Sequence, residues 1–293
     1  MKLTNHIYCL LTICLWSTIE LAGKLIGEGI NPFAITAWRF LIGGLVLIPF
    51  ALRQYKRGSI NITFSSILQL GGLGILNVVC SMLLLQLAIY YGKASLAALI
   101  ISMNPLFVSL FASFLIKEKL PFIHVISLVI GLIGLSLIIF HEQDMSSNLY
   151  RNLPLSILFA VLAAMGFGVY TVLTKRSVAT YGNLVTNAAA FIIGGLALTL
   201  INLIIGKSML FQPIPRNIAI LAYLGIGVTG IAYLLYFEGM KVLGAARASI
   251  YFFLKPVLAV LLAYLFLHEV LSMWQIVGMI LVSLALCRNL LRR

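Results

Sequence analysis

Charged side chains are scarce in this chain. Lys, Arg, Asp and Glu make up 9% of its 293 residues, and only 7 residues are acidic. Soluble globular domains carry about a quarter charged and about half apolar residues, whereas this chain is 62% hydrophobic with a mean hydropathy of +1.12. The composition excludes an ordinary soluble domain and predicts an integral membrane protein.

Motifs of catalytic, metal and nucleotide sites are also lacking. The four cysteines lie inside apolar runs without disulfide or metal-site spacing, and no P-loop or Ser-His-Asp arrangement occurs. The stretch GIGVTG at 225–230 matches G-x-G-x-x-G, but it lies within an apolar run. Like GGLG at 71–74, it indicates close helix packing through small residues. We therefore expect no enzyme activity, no cofactor, no metal and no ATP-driven mechanism in this chain alone.

Long apolar runs make up most of the sequence. A hydrocarbon core about 30 Å thick needs roughly 20 apolar residues per helix. Ten runs of this kind predict an all-α membrane fold, with helices at 4–26, 32–52, 67–90, 94–116, 121–140, 153–175, 184–206, 217–239, 245–267 and 272–291. They form a first five-helix unit at 1–140 and a second at 153–293, joined by an extracytoplasmic linker at 141–152.

The net charge of +13 is distributed as a topology signal. With a cytoplasmic N-terminus, thirteen Lys and Arg residues fall on the inside and five on the outside. This positive-inside bias predicts that both termini are cytoplasmic, in a prokaryotic inner or plasma membrane. The excess of basic residues indicates contact with anionic lipid rather than nucleic acid.

An internal repeat relates the two halves. An offset of 151 residues aligns FLIGGL at 40–45 with FIIGGL at 191–196, and NPLFVSLFASFLIKEKL at 104–120 with KPVLAVLLAYLFLHEVL at 255–271. Trp16 aligns with Phe167 in the same register. Since five spans per half is an odd number, the second half is predicted to be inverted in the membrane. Inverted repeats are typical of secondary transporters.

A Pro followed by a Glu with twelve residues between them occurs twice, as Pro105 to Glu118 and as Pro256 to Glu269. This repeated pattern resembles the EamA-type ten-helix branch of the drug/metabolite transporter superfamily. Trp16, Ser17 and Lys24 in the first helix and WRF at 38–40 in the second resemble it too. The resemblance covers essentially the whole chain. It implies a central cavity lined by helices 1, 3, 4, 6, 8 and 9 and export of small metabolites, often amino acids. It also implies that Glu118 and Glu269 act as gates or fix helix ends.

Glu20 departs from the family pattern, in which the first helix is more often aromatic or apolar. An ionisable residue inside a membrane span usually faces a partner or a cavity. Glu20 and Arg39 lie about 9 and 10 Å below the outer ends of their predicted helices, from the 1.5 Å rise per residue, which predicts an ion pair. Pairing with Lys24, one turn along the helix, is a second structural interpretation. The functional interpretation is that Glu20 binds a substrate amine or a proton.

Lys255 is the second exceptional charge, roughly 15 Å into the predicted ninth helix and near the midplane. Pro256 follows it, and its repeat partner Asn104 precedes Pro105. Proline frees a backbone carbonyl and kinks a helix, so we expect two kinks that face the cavity. Lys255 and Asn104 would hold a substrate carboxylate. The structural alternative is a lysine that bonds the freed carbonyls.

Aromatic residues supply the remaining candidate surface. Trp16, Tyr233 and Tyr251 are chosen as substrate contacts, and a carboxylate among aromatic rings would also suit a quaternary amine. Glu238 near the cytoplasmic end of helix 8 is a candidate gate or structural residue.

The sequence thus predicts a secondary transporter, a monomer or homodimer, that moves a small polar metabolite. Amino-acid export, with a proton as one candidate coupling ion, is the first choice. The alternatives are transport of quaternary amines or cationic drugs, and a membrane scaffold or lipid scramblase.

Overall fold

The computed structural model describes residues 3–26, 30–57, 62–92, 94–120, 122–140 and 151–267, with 273–274, 276–278, 280–281 and 284. Over these residues the chain is all-helical and has no strand. Six helices are long and apolar enough to cross a membrane: Thr4–Leu25, Pro32–Lys56, Phe64–Tyr91, Leu153–Tyr181, Asn183–Ile204 and Pro215–Leu243. The predicted all-α membrane class is confirmed. Glu269, most of the linker at 141–152 and most of the predicted tenth helix lie outside the described residues.

The helices are numbered along the chain. The first half contains α1 (Leu3–Trp16), α2 (Ile19–Leu25), α3 (Pro32–Arg57), α4 (Phe64–Asn77), α5 (Leu83–Tyr91), α6 (Ala94–Ile101), α7 (Asn104–Ile116) and α8 (Phe122–Phe140). The second half contains α9 (Leu153–Tyr181), α10 (Asn183–Ile204), α11 (Pro215–Tyr223), α12 (Ala232–Leu243), α13 (Ala245–Ser249) and α14 (Leu254–Leu267). π-helical turns at Val78–Met82 and Leu224–Ile231 join α4 to α5 and α11 to α12. A 3₁₀ turn at Ile250–Phe253 joins α13 to α14.

Three predicted spans are interrupted. The first breaks between α1 and α2. Here the hydroxyls of Ser17 and Thr18 donate to backbone carbonyls four and three residues earlier, respectively, and compete with the helical pattern. The fourth and ninth break ahead of the prolines. Pro105 is the second residue of α7 and Pro256 the third of α14. The expectation of kinks is therefore corrected: because proline lacks an N–H, it begins a new helix here rather than bending a continuous one.

The halves pack through glycines in a reciprocal manner. A Cβ on Gly74 of α4 would lie 2.2 Å from the Ala190 carbonyl oxygen and 2.9 Å from the Gly194 nitrogen of α10. A Cβ on Gly225 would lie 3.3 Å from the Arg39 carbonyl oxygen, and a Cβ on Gly43 of α3 would lie 2.9 Å from the Gly225 carbonyl oxygen. The second set is the first set shifted by the 151-residue offset of the repeat. The two halves therefore exchange equivalent contacts, and the predicted small-residue packing is confirmed.

Candidate functional site

Glu20 and Lys255 form a buried ion pair between the two halves. Glu20 is the second residue of α2, and Lys255 the second of α14. Each residue is 1% exposed, and the Lys255 ammonium donates to Glu20 Oε1. The other carboxylate oxygen, Oε2, has no hydrogen-bond partner among the described residues. The two ionisable residues that the sequence singled out separately are thus in direct contact.

This pairing overturns both structural interpretations of Glu20. Arg39 is not its ion-pair partner: the Arg39 Nε donates to the Thr229 hydroxyl at 3.1 Å, and a terminal nitrogen contacts the Met82 sulfur at 3.6 Å. Lys24 donates to the Gly92 carbonyl at 2.7 Å. Glu20 and Arg39 were predicted to pair because they lie at similar depths along their helices. The orientation of α3 instead directs the guanidinium toward Thr229.

A small cavity lies beside the ion pair. Its only charged lining residue in the described part of the chain is Lys255. The other lining residues are apolar or aromatic: Trp16, Ile19, Met82, Leu85, Ile101, Phe167, Tyr233 and Phe252. Apolar and aromatic walls around one charged group are the lining chemistry of small-molecule sites.

Residues from equivalent positions of the two repeats line the cavity. Three pairs of lining residues are equivalent at the 151-residue offset: Trp16 with Phe167, Met82 with Tyr233, and Ile101 with Phe252. Each half therefore contributes equivalent positions to the cavity lining. Sequence reasoning missed Met82, Ile101 and Phe252 because they have no polar group. The repeat offset, applied to Trp16 and Tyr233, finds Phe167 and Met82.

Trp16 is the centre of an aromatic cluster. Its ring centroid lies 4.9 Å from that of Tyr233, 5.1 Å from Tyr236, 5.2 Å from Phe252 and 5.5 Å from Phe167. The indole nitrogen donates to the Val228 carbonyl at 3.0 Å, inside the second π-helical turn. This bond and the edge-to-face contacts fix the ring orientation, so the indole forms a rigid wall of the cavity.

Three predicted substrate residues do not line the cavity: Glu20, which reaches it only through its ion pair with Lys255, Tyr251 and Asn104. Tyr251 is buried and hydrogen-bonds to His6 of α1. Asn104 is fully buried, and neither atom of its amide has a hydrogen-bond partner within the described residues. An unsatisfied buried amide is costly, but Asn104 is not among the residues that line the cavity.

Glu118 connects three helices at the end of α7. Its carboxylate accepts from Lys175 of α9 at 2.7 Å, and from the backbone nitrogens of Ala245 and Ala246 at 3.4 and 3.2 Å. The latter two are free N–H groups at the start of α13, where a negative charge is favourable. Glu238 instead contacts Lys241 and Asn183 at 2.7 and 2.8 Å, with its side chain 43% exposed.

We expect Glu118→Ala to lower the unfolding temperature of the detergent-purified protein, with a loss of about 1 to 2 kcal/mol from the helix cap and the dipole interaction. Glu238→Ala is the matched control, and an exposed ion pair contributes about 0 to 1 kcal/mol. Equal effects of the two substitutions would contradict a capping role for Glu118.

Comparison with known proteins identifies the family. The EamA-like transporter family matches residues 3–140 and 154–290. An uncharacterized transporter of Clostridium kluyveri is 34% identical, over 95% of this chain and 90% of the relative. A WAT1-related chloroplastic protein of Arabidopsis thaliana is 28% identical, over 90% of this chain and 64% of the relative. A crystal structure with 23% sequence identity has a TM-score of 0.77 over 98% of this chain and 96% of the other. The helical fold, the paired halves and these matches together lead to one conclusion: the chain belongs to the EamA-like transporter family.

Proposed function

We propose that this protein is a secondary active transporter that exports an amino acid or a related zwitterion by alternating access. The single observation that carries this proposal is the buried Glu20–Lys255 pair beside an aromatic cavity. A zwitterion carries both charges of that pair. Its carboxylate can replace Glu20 at Lys255 while its amine replaces Lys255 at Glu20, so every charge keeps a partner.

The energetics of buried charges support this choice of substrate. Removing one partner of a buried ion pair is strongly unfavourable because the remaining charge is left in a medium of low dielectric. A simple amine or carboxylate would leave one protein charge unpaired, whereas a zwitterion compensates both. Exchange of partners therefore opens the pair at a low energetic cost.

Alternating access requires two equivalent arrangements of the halves. The reciprocal glycine contacts and the equivalent cavity residues support a two-fold relationship. We infer ten spans, with the second five inverted, because the repeat contains an odd number of predicted helices. In this arrangement the cytoplasmic termini and the inner membrane follow from the positive-inside bias.

Glu20 is the proposed coupling residue. Its Oε2 atom has no hydrogen-bond partner among the described residues and is available to a proton. Protonation would remove the charge that holds Lys255 and free the ammonium to bind a substrate carboxylate. Proton entry from one side and substrate binding from the other would then compete for the same pair.

The test is charge movement in proteoliposomes under a pH gradient. Neutral amino acids are expected to produce currents in the wild type that are lost in Glu20→Gln and in Lys255→Met. Glu238→Gln is the control, since Glu238 lies at a helix end and outside the cavity. Wild-type currents that survive in both folded variants would contradict the proposed site.

Transport of a quaternary amine is the second candidate because Trp16, Phe167, Tyr233 and Phe252 line the cavity and aromatic rings attract cations. The Lys255 ammonium on the same wall opposes it. Currents with quaternary amines that are lost only in Glu20→Gln would favour this candidate. If no tested substrate moved charge and the vesicles scrambled lipid, the protein would be a scramblase.

A further inference from the structure

Arg39 has a buried charge that the zwitterion site does not use. It is 1% exposed, and its hydrogen-bond partners, the Thr229 hydroxyl, the Met82 sulfur and the Tyr233 hydroxyl, are uncharged. The Thr229 hydroxyl donates its own proton to the Leu224 carbonyl at 2.8 Å, so its oxygen is oriented to accept from Arg39. The Phe40 ring lies 5.0 Å from the guanidinium carbon. The guanidinium fork is suited to a carboxylate, yet no carboxylate of the described residues lies within 4.0 Å of it.

The described interior has more positive than negative charge. Its buried ionisable charges are Glu20, Arg39 and Lys255. The other described carboxylates, Glu118 and Glu238, lie at helix ends and form ion pairs there. One buried carboxylate therefore faces two buried cations. Since a charge inside a membrane protein normally has a partner, the arrangement leaves room for one additional negative charge.

The excess charge lies directly behind the cavity wall. Met82 contacts Arg39 through its sulfur and also lines the cavity, as do Tyr233 and Lys255. Methionine is unbranched and flexible, so a rotamer change of this one side chain would bring the guanidinium to the cavity surface. The cavity would then present an ammonium, a guanidinium and a carboxylate.

We propose that the substrate is an anionic zwitterion, with an amine, a carboxylate and one further anionic group, and that Arg39 binds the additional group. This rests on the proposed function and adds the charge class of the substrate. Lys255 takes the first carboxylate, Glu20 takes the amine, and Arg39 takes the second carboxylate after Met82 moves aside. A ligand of net charge −1 then compensates all three buried charges.

The test uses ligands that differ by charge and hardly at all in shape. Glutamate is compared with glutamine, and 4-carboxyphenylalanine with 4-carbamoylphenylalanine, by binding and by uptake into proteoliposomes. We expect wild-type protein to prefer each acid over its amide by at least about tenfold, because only the acid provides an anionic group for Arg39. A tenfold preference corresponds to a difference in binding free energy of about 1.4 kcal/mol. This comparison requires no substitution and does not depend on the folding of a variant.

Variants then assign the preference to Arg39. Arg39→Gln is expected to reduce the acid-to-amide ratio to about one, while Arg39→Lys restores part of it because the charge remains. Arg53→Gln is the control: Arg53 is an exposed residue of the same helix, and the ratio should not change. A purely structural role for Arg39 would alter stability without altering this ratio.

The outcomes separate this inference from the proposed function. Equal wild-type affinity for each acid and its amide would overturn the inference and leave zwitterion transport intact. A ratio that persists in folded Arg39→Gln would also overturn it, since another group would then read the charge. Failure of the wild type to bind or move any of the four ligands, or phenylalanine, would overturn both.

Discussion

Lys255→Met is expected to destabilise the protein more than the double replacement Glu20→Gln/Lys255→Met. In the single variant the Glu20 carboxylate loses the donor at Oε1, while Oε2 already has no partner among the described residues. Breaking a buried ion pair from one side costs about 3 to 5 kcal/mol, whereas replacing both partners with neutral residues of similar volume is often neutral or stabilising. The double variant should therefore unfold near the wild-type temperature.

The measurement is the thermal unfolding midpoint of each variant in the same detergent. Lys241→Met is the matched control, because Lys241 forms an ion pair with Glu238 in which the side chains are 36% and 43% exposed. An exposed pair of this kind contributes about 0 to 1 kcal/mol. If the double variant were as unstable as Lys255→Met, the two side chains would not be each other's principal partners.

The double variant of Glu20 and Lys255 also separates an effect on stability from an effect on transport. The double variant retains the aromatic wall formed by Trp16, Phe167, Tyr233 and Phe252 but has neither charge for a zwitterion. We therefore expect a folded protein without amino-acid currents. A folded but inactive double variant distinguishes loss of the proposed site from loss of the fold.

Gly74→Ala is expected to separate two membrane helices. The new Cβ would lie 2.2 Å from the Ala190 carbonyl oxygen and 2.9 Å from the Gly194 nitrogen. Both atoms belong to the backbone of α10, so no side-chain rotation relieves the clash. Overpacking of this kind costs about 1 to 3 kcal/mol, and backbone contacts place Gly74 at the upper end of that range.

Gly72→Ala is the matched control for this prediction. Gly72 lies in the same helix, and a Cβ there would meet nothing within 4 Å. Since alanine is favoured over glycine in a helix by up to about 1 kcal/mol, the control should be neutral or stabilising. The thermal unfolding midpoints of the two variants check this. A Gly74→Ala protein as stable as Gly72→Ala would contradict the close approach of α4 and α10.

The sequence by itself determined the membrane class, the internal repeat and the places of close helix packing. Hydropathy is sufficient for the first, because the bilayer imposes apolar runs of a set length. The offset of 151 residues aligned the glycines and prolines of the two halves. Gly74 and Gly225 make equivalent contacts, and helices begin next to Pro105 and Pro256. These are local or periodic properties that each half carries in its own residues.

Only the tertiary structure decided which charges are partners. Sequence position provides depth along a helix, which matched Glu20 with Arg39, but the rotation and tilt of the helix also determine where a side chain points. The break at Ser17 and Thr18 and the restart ahead of Lys255 bring Glu20 and Lys255 into contact. They also leave Arg39 facing Thr229 and Met82. Contacts between helices depend on the depth of each side chain and on the rotation and tilt of each helix. The sequence supplies only the depth.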